Sequence, residues 1–142
     1  MKIVSLFSGI GGLEYGFSSK KHDVLMFCEN DPAAKAVLRA RHPSVKLVDD
    51  VTTLTSIPQC DLVTAGFPCQ DLSQAGAKVG IKGGRSGLVN DLFRLLRNAK
   101  PKPEWLLVEN VPFMLHLDKG HAMEVLTKNV EELGYSWCYR TV

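Results

Sequence analysis

Apolar residues cluster in short runs at Ile3–Phe7, Val24–Glu29, Val45–Val48, Asp61–Ala65 and Trp105–Glu109, and each run reads as a strand. Most are separated by stretches with helical periodicity: one after Gly11–Gly12, then Pro32–Arg41, Leu88–Asn98 and Ala122–Leu133. Asp31 ahead of Pro32 predicts an N-cap with proline in the first turn, and Gly134 predicts a helix stop. Beyond it Tyr135–Val142 alternates as a further strand would. Strands alternating with helices predict an α/β fold with a mostly parallel sheet. No repeat or linker interrupts the pattern. Ala75–Gly87 holds five of the twelve glycines and predicts a long irregular loop of the kind that often serves as a lid.

Composition narrows this little. A chain of 142 residues, 45% hydrophobic and 23% charged, suffices for one core, so a single domain over 1–142 is expected. No run approaches the roughly 20 apolar residues of a membrane span, and the first residues lack a signal-peptide pattern, which predicts a soluble, untargeted protein. Cys28, Cys60, Cys69 and Cys138 form no CxxC pair and no zinc spacing, so neither a metal nor a disulfide framework is expected and a reducing cytoplasm fits. A net charge of +2 does not by itself point to nucleic acid.

Candidate chemistry lies at the ends of the strands. Phe7-Ser8-Gly9-Ile10-Gly11-Gly12 follows the first strand and opens a helix, so its backbone amides can approach a ligand closely. A tight strand-to-helix turn needs glycine in any case, and the turn alone leaves both readings open. Glu29 ends the second strand twenty positions after Gly9, where α/β nucleotide sites place a carboxylate on ribose, and Asp50 after the third strand is placed to accept from an adenine amine. Each acid alone reads equally as a solvated side chain or a helix cap; together they favour an adenosine-containing ligand.

Gly66-Phe67-Pro68-Cys69-Gln70 follows the fourth strand, at the sheet edge where open α/β proteins bind ligands, and Pro68 restricts the backbone beside the thiol. Cys28, Cys60 and Cys138 read as small buried hydrophobes. Cys69 differs because Glu109-Asn110-Val111 ends the fifth strand and brings a carboxylate to the same cleft.

FSGIGGLE, GFPCQDLSQAG and VENV, in this order, resemble the signature blocks of bacterial cytosine-5 DNA methyltransferases, with further matches at Glu29-Asn30-Asp31, Asp50-Val51 and Arg85–Leu96. The resemblance implies a Rossmann-like methyltransferase fold and S-adenosylmethionine as cofactor. Phe7, Gly9 and Gly11 would shape its methionine pocket, Glu29 would bind the ribose, Asp50 the adenine, and Asn90 and Leu92 would approach it. Cys69 would add to carbon 6 of a cytosine flipped out of double-stranded DNA, while Glu109 would bond ring nitrogen 3 and the exocyclic amine. On the substrate side, Pro68, Gln70, Ser73 and Asn110 would shape or hold the active-site loop, with Ser73 and Gln74 touching DNA and Lys78, Lys82 and Arg85 reaching phosphates.

The family pattern continues with blocks that this sequence does not hold: a glutamine-and-arginine block, a final antiparallel strand between the fifth and sixth strands, a target-recognition domain and a closing helix. Their absence implies an incomplete domain, with a second polypeptide supplying the rest of a split enzyme, or a truncated product or fragment. Three alternatives stand beside this reading: RNA as substrate, a non-catalytic subunit that binds S-adenosylmethionine or DNA, and an NAD-dependent oxidoreductase.

Overall fold

The computed structural model describes residues 1–17, 22–68 and 87–142 of the chain. Five strands, β1 (Lys2–Leu6), β2 (Asp23–Cys28), β3 (Lys46–Val48), β4 (Leu62–Ala65) and β5 (Trp105–Val108), form one parallel sheet in the order β3-β2-β1-β4-β5. The five apolar runs are therefore the five strands. Chain order reverses at β1, whose neighbours are β2 on one side and β4 on the other, so a topological switch point opens at the carboxyl ends of β1 and β4.

Among the described residues four helices flank the sheet: α1 (Gly12–Gly16), α2 (Pro32–Arg41), α3 (Leu88–Asn98) and α4 (His121–Glu132). Register places Val4, Met26, Val63 and Leu106 in one row and Leu6, Cys28, Ala65 and Val108 in the next, all on one face. These residues form the main core with Val89, Leu92, Phe93, Leu95 and Leu96 of α3 and Ala122, Leu126 and Val130 of α4. The apolar stripe of α3 recurs at helical spacing, which is why the helix lies flat on a sheet. The other face carries Ile3, Ser5, Phe27, Leu62 and Thr64 beneath α1 and α2.

Local chemistry sets the ends of the elements. Asp31 Oδ1 accepts from the Ala34 amide at 2.7 Å, the expected N-cap, with Pro32 starting the helix. Gly134 has φ of 78°; its amide bonds Glu131 O at 2.8 Å and the Tyr135 amide bonds Val130 O at 3.1 Å, closing α4 in a Schellman motif. The Tyr135 hydroxyl then donates to Pro103 O at 2.7 Å, tying this corner to the approach to β5.

The sixth strand expected over Tyr135–Val142 does not form: this segment pairs with no described strand, and residues 136–142 are exposed. Alternation places side chains on one side of an extended chain, but a strand also needs a ladder partner. Here the shared side serves a local contact instead, with Trp137 and Tyr139 stacked at 6.5 Å and 27°.

Candidate active site

The turn after β1 adopts a backbone that side chains normally avoid. Phe7 and Gly9 have φ of 55° and 54°, and Gly11, the N-cap of α1, has φ of 81°. Ser8 fastens the turn to β2: its amide donates to Cys28 O at 3.1 Å, and its hydroxyl accepts from the Cys28 amide at 3.1 Å. Glu29 fastens it again, with Oε2 accepting from the Gly9 amide at 2.7 Å and Oε1 from the Asp31 amide at 2.8 Å. A carboxylate offers about four acceptor positions, so each Glu29 oxygen keeps one for a further donor. Among the described residues a Cβ at Gly9 would meet nothing within 4 Å, so they leave space beside this backbone.

Asp50 is exposed and caps the 3-10 turn Val51–Thr53, its Oδ1 accepting from the Thr52 amide at 2.8 Å. Arg94 joins that turn to α3, donating to Leu54 O at 2.6 Å and Asp91 Oδ1 at 2.8 Å. Asn90 lies exposed in the first turn of α3, while Leu92 is fully buried in the core.

The second half of the site lies at the ends of β4 and β5. The Glu109 amide donates to Ala65 O at 3.0 Å, and its exposed side chain lies over Gly66, where a Cβ would stand 3.4 Å from Glu109 Oε2 and 3.6 Å from Phe7 O. Asn110 Nδ2 donates to Phe67 O at 2.7 Å, and the Phe67 ring meets Phe7 edge-on at 6.2 Å and 74°. Phe7, Gly66, Phe67, Glu109 and Asn110 therefore adjoin one another, and Gly9 with Glu29 continues the same edge; among the described residues Asp50 and Asn90 form no hydrogen bond or ion pair with this group. Pro68 is exposed beside it. Cys69, Gln70, Ser73, Gln74, Lys78, Lys82 and Arg85 lie outside the described residues, as does nearly all of the expected glycine-rich loop.

Cys28 and Cys60 are buried free thiols. Burial, reinforced by Asp50 and Glu29, pushes the Cys28 thiol up to about 12, and burial with Asp61 nearby pushes Cys60 up to about 11. Both stay protonated near neutrality and cannot act as nucleophiles there. A separate cavity of about 310 Å³, lined by Phe27, Leu38, Arg39, His42, Pro43, Val45 and Leu47, contains none of the candidate site residues.

Three participants escape the motif reading. Ser8 and Gly66 sit inside the quoted blocks, but their tasks depend on neighbours from other strands. Glu14, also in the first block, is buried against β4, and its Oε1 accepts from Thr64 Oγ1 at 2.5 Å.

The family described as C-5 cytosine-specific DNA methylase matches residues 1–142. Type II methyltransferase M2.BsuMI of Bacillus subtilis (strain 168) is 57% identical over 144 residues, covering 100% of this chain and 37% of its own length. Type II methyltransferase M.AquIA of Picosynechococcus sp. is 33% identical over 147 residues, covering 95% of this chain and 58% of its own. Among solved structures, the S. pombe Dnmt2 methyltransferase superposes with a TM-score of 0.74 at 25% identity, covering 93% of this chain and 42% of that one. The chain thus spans less than two thirds of the length of each of these proteins. No described helix is long and apolar enough to cross a membrane.

Proposed function

The chain belongs to the C-5 cytosine-specific DNA methylases, and from that premise we propose that it is the cofactor-binding and nucleophile-bearing part of an enzyme transferring a methyl group from S-adenosylmethionine to carbon 5 of cytosine in double-stranded DNA. One observation carries the reading: the turn held by Glu29 and the acid at Glu109 lie along one sheet edge, joined through the Phe7–Phe67 contact. Donor and acceptor of a methyl group have to meet at such a junction.

The residues present fit the cofactor. The backbone beside Gly9 is open, and Glu29 keeps acceptor capacity for ribose hydroxyls. Phe7, Gly9 and Gly11 would shape the methionine pocket, with Asp50 taking the adenine amine and Asn90 approaching from α3. When bound, S-adenosylmethionine supplies an electrophilic methyl group on a sulfonium.

The chain's own residues supply the rest. The Cys69 thiolate adds to carbon 6 of a cytosine turned out of the duplex, and the electron pair moves toward carbon 5. Glu109 would donate a proton in a hydrogen bond to ring nitrogen 3 and accept one from the exocyclic amine, which stabilises the negative charge gathering in the ring. After carbon 5 has taken the methyl group, it loses its proton, the electrons expel Cys69, and the thiolate is regenerated. Asn110 holds the Phe67 carbonyl beside Pro68, while Gln70 and Ser73 would bind the substrate DNA.

The chain spans 37% of M2.BsuMI and 58% of M.AquIA, so activity would rest on the remaining blocks and a target-recognition domain, whether carried by the same protein or by a second polypeptide, and the site of action would be the cytoplasm, where free thiols persist. The test mixes this chain with such a polypeptide and follows labelled methyl transfer to duplex DNA and, in parallel, to RNA. Transfer to DNA is expected. Transfer to RNA alone would replace the substrate, and binding of S-adenosylmethionine without turnover would favour a non-catalytic subunit. In the active assembly, Cys69→Ser is expected to abolish covalent trapping on 5-fluorocytosine DNA while cofactor binding survives.

A further inference from the structure

One buried carboxyl group takes no part in the chemistry proposed above. Glu14 is 5% exposed, and among the described residues it is the one charged side chain that is buried. Its Oε1 is met by Thr64, which is itself fully buried, but Oε2 is buried without a hydrogen-bond partner. No described cation pairs with it. Enclosing a polar group with half of its acceptors unmet opposes folding, so an apolar side chain at this position would serve stability better.

What the pair provides is a link. Glu14 stands in the first turn of α1, directly after the Gly11 N-cap, and Thr64 stands on β4 two residues before Gly66. Ser8 and Glu29 fix the glycine turn on its β2 side. On the opposite side, the Glu14–Thr64 bond is the described side-chain hydrogen bond joining α1 to the strand that leads into Phe67 and Pro68.

We propose that Glu14, acting through Thr64, is a positioning residue that holds the glycine turn at a fixed offset from the Gly66–Pro68 segment and so aligns the methyl donor with the nucleophile. The inference rests on the methyltransferase reading above. Alignment of this kind carries a large rate effect, because a displacement of about 1 Å can slow a reaction by about a hundredfold.

Three variants test it in the reconstituted enzyme. Glu14→Gln keeps an oxygen for Thr64, Glu14→Met removes it at similar length, and Thr64→Val removes the donor without changing shape. The methionine variant is expected to melt at or above the wild-type temperature and to bind S-adenosylhomocysteine normally, while its kcat falls by about tenfold or more. The glutamine variant should recover most of that rate. A methionine variant with wild-type kcat, or a glutamine variant as slow as methionine, would overturn the proposal. Should the methionine variant fail to fold, Thr64→Val carries the same comparison.

Hydrogen exchange provides a readout independent of turnover. The Gly66 and Phe67 amides should exchange faster in Glu14→Met at unchanged melting temperature, and unchanged exchange counts against the link. If the wild-type assembly transfers no methyl group, the proposed function fails, and exchange alone decides this inference.

Discussion

At Gly9 a methyl group would enter open space, whereas at Gly11 it would press on Leu38 Cδ2 at 3.2 Å, although both residues have positive φ. Gly9→Ala therefore carries mainly the left-handed backbone penalty of about 1–2 kcal/mol. Its methyl would also occupy the space through which the cofactor approaches, so affinity should fall more than stability does. Gly11→Ala adds displacement of Leu38 to the same penalty and should melt lower than Gly9→Ala. Thermal melts with titration calorimetry of S-adenosylhomocysteine separate the two; Gly9→Ala binding at full affinity would remove that turn from the cofactor site.

The buried thiols give a second prediction at this scale. Folding raises the Cys28 pKa from its ordinary 9.0 to about 12 and that of Cys60 to about 11. The folded state then holds more protons than the unfolded chain in this range, so the stability associated with the thiols is complete below pH 9.0 and declines as pH rises through the folded values. Denaturant midpoints should fall between about pH 9 and 12. In Cys28→Ala/Cys60→Ala protein the same curve should be flatter, and an identical slope would place the effect elsewhere.

Among elements, α4 shows how much a helix end depends on one residue. Gly134 has φ of 78°, and a Cβ there would stand 3.4 Å from Lys102 Nζ, the flexible end of a side chain. Gly134→Ala should thus cost about 1 kcal/mol through its backbone and lower the melting temperature by a few degrees. A shift below one degree would mean that the Schellman closure contributes little. The same corner shows what the sequence could convey. Gly134 as a stop and Asp31 as a cap were legible because their chemistry is local, and the five strands were legible because both faces of a parallel sheet are buried. The segment 135–142 misled because pairing partners are not written in periodicity. In the site, Glu109 and the glycine turn were visible as motifs, whereas Ser8, Gly66 and Glu14 acquire their tasks from residues on other strands. Thr64 gave no sign of its partner, fifty positions away.

For the whole molecule, the sheet formed by the described residues ends at β5 with a ladder on one side only. The Trp105 amide donates to Asp61 O and the Glu109 amide to Ala65 O, each at about 3 Å, so by the two-residue period of a ladder the amides of Leu106 and Val108 point away from β4. Leu106 and Val108 also pack their side chains against the main core. An unpaired edge of this kind is a template for backbone hydrogen bonding by another chain. If the proposed second polypeptide completes the enzyme by adding a strand here, Leu106 and Val108 amides should exchange rapidly in the isolated chain and become protected in the complex. Trp105 and Glu109, already bonded to β4, should be protected in both states and act as internal controls. A complex that forms and methylates DNA while Leu106 and Val108 remain unprotected would leave the division of labour between the two polypeptides intact but move their junction away from β5.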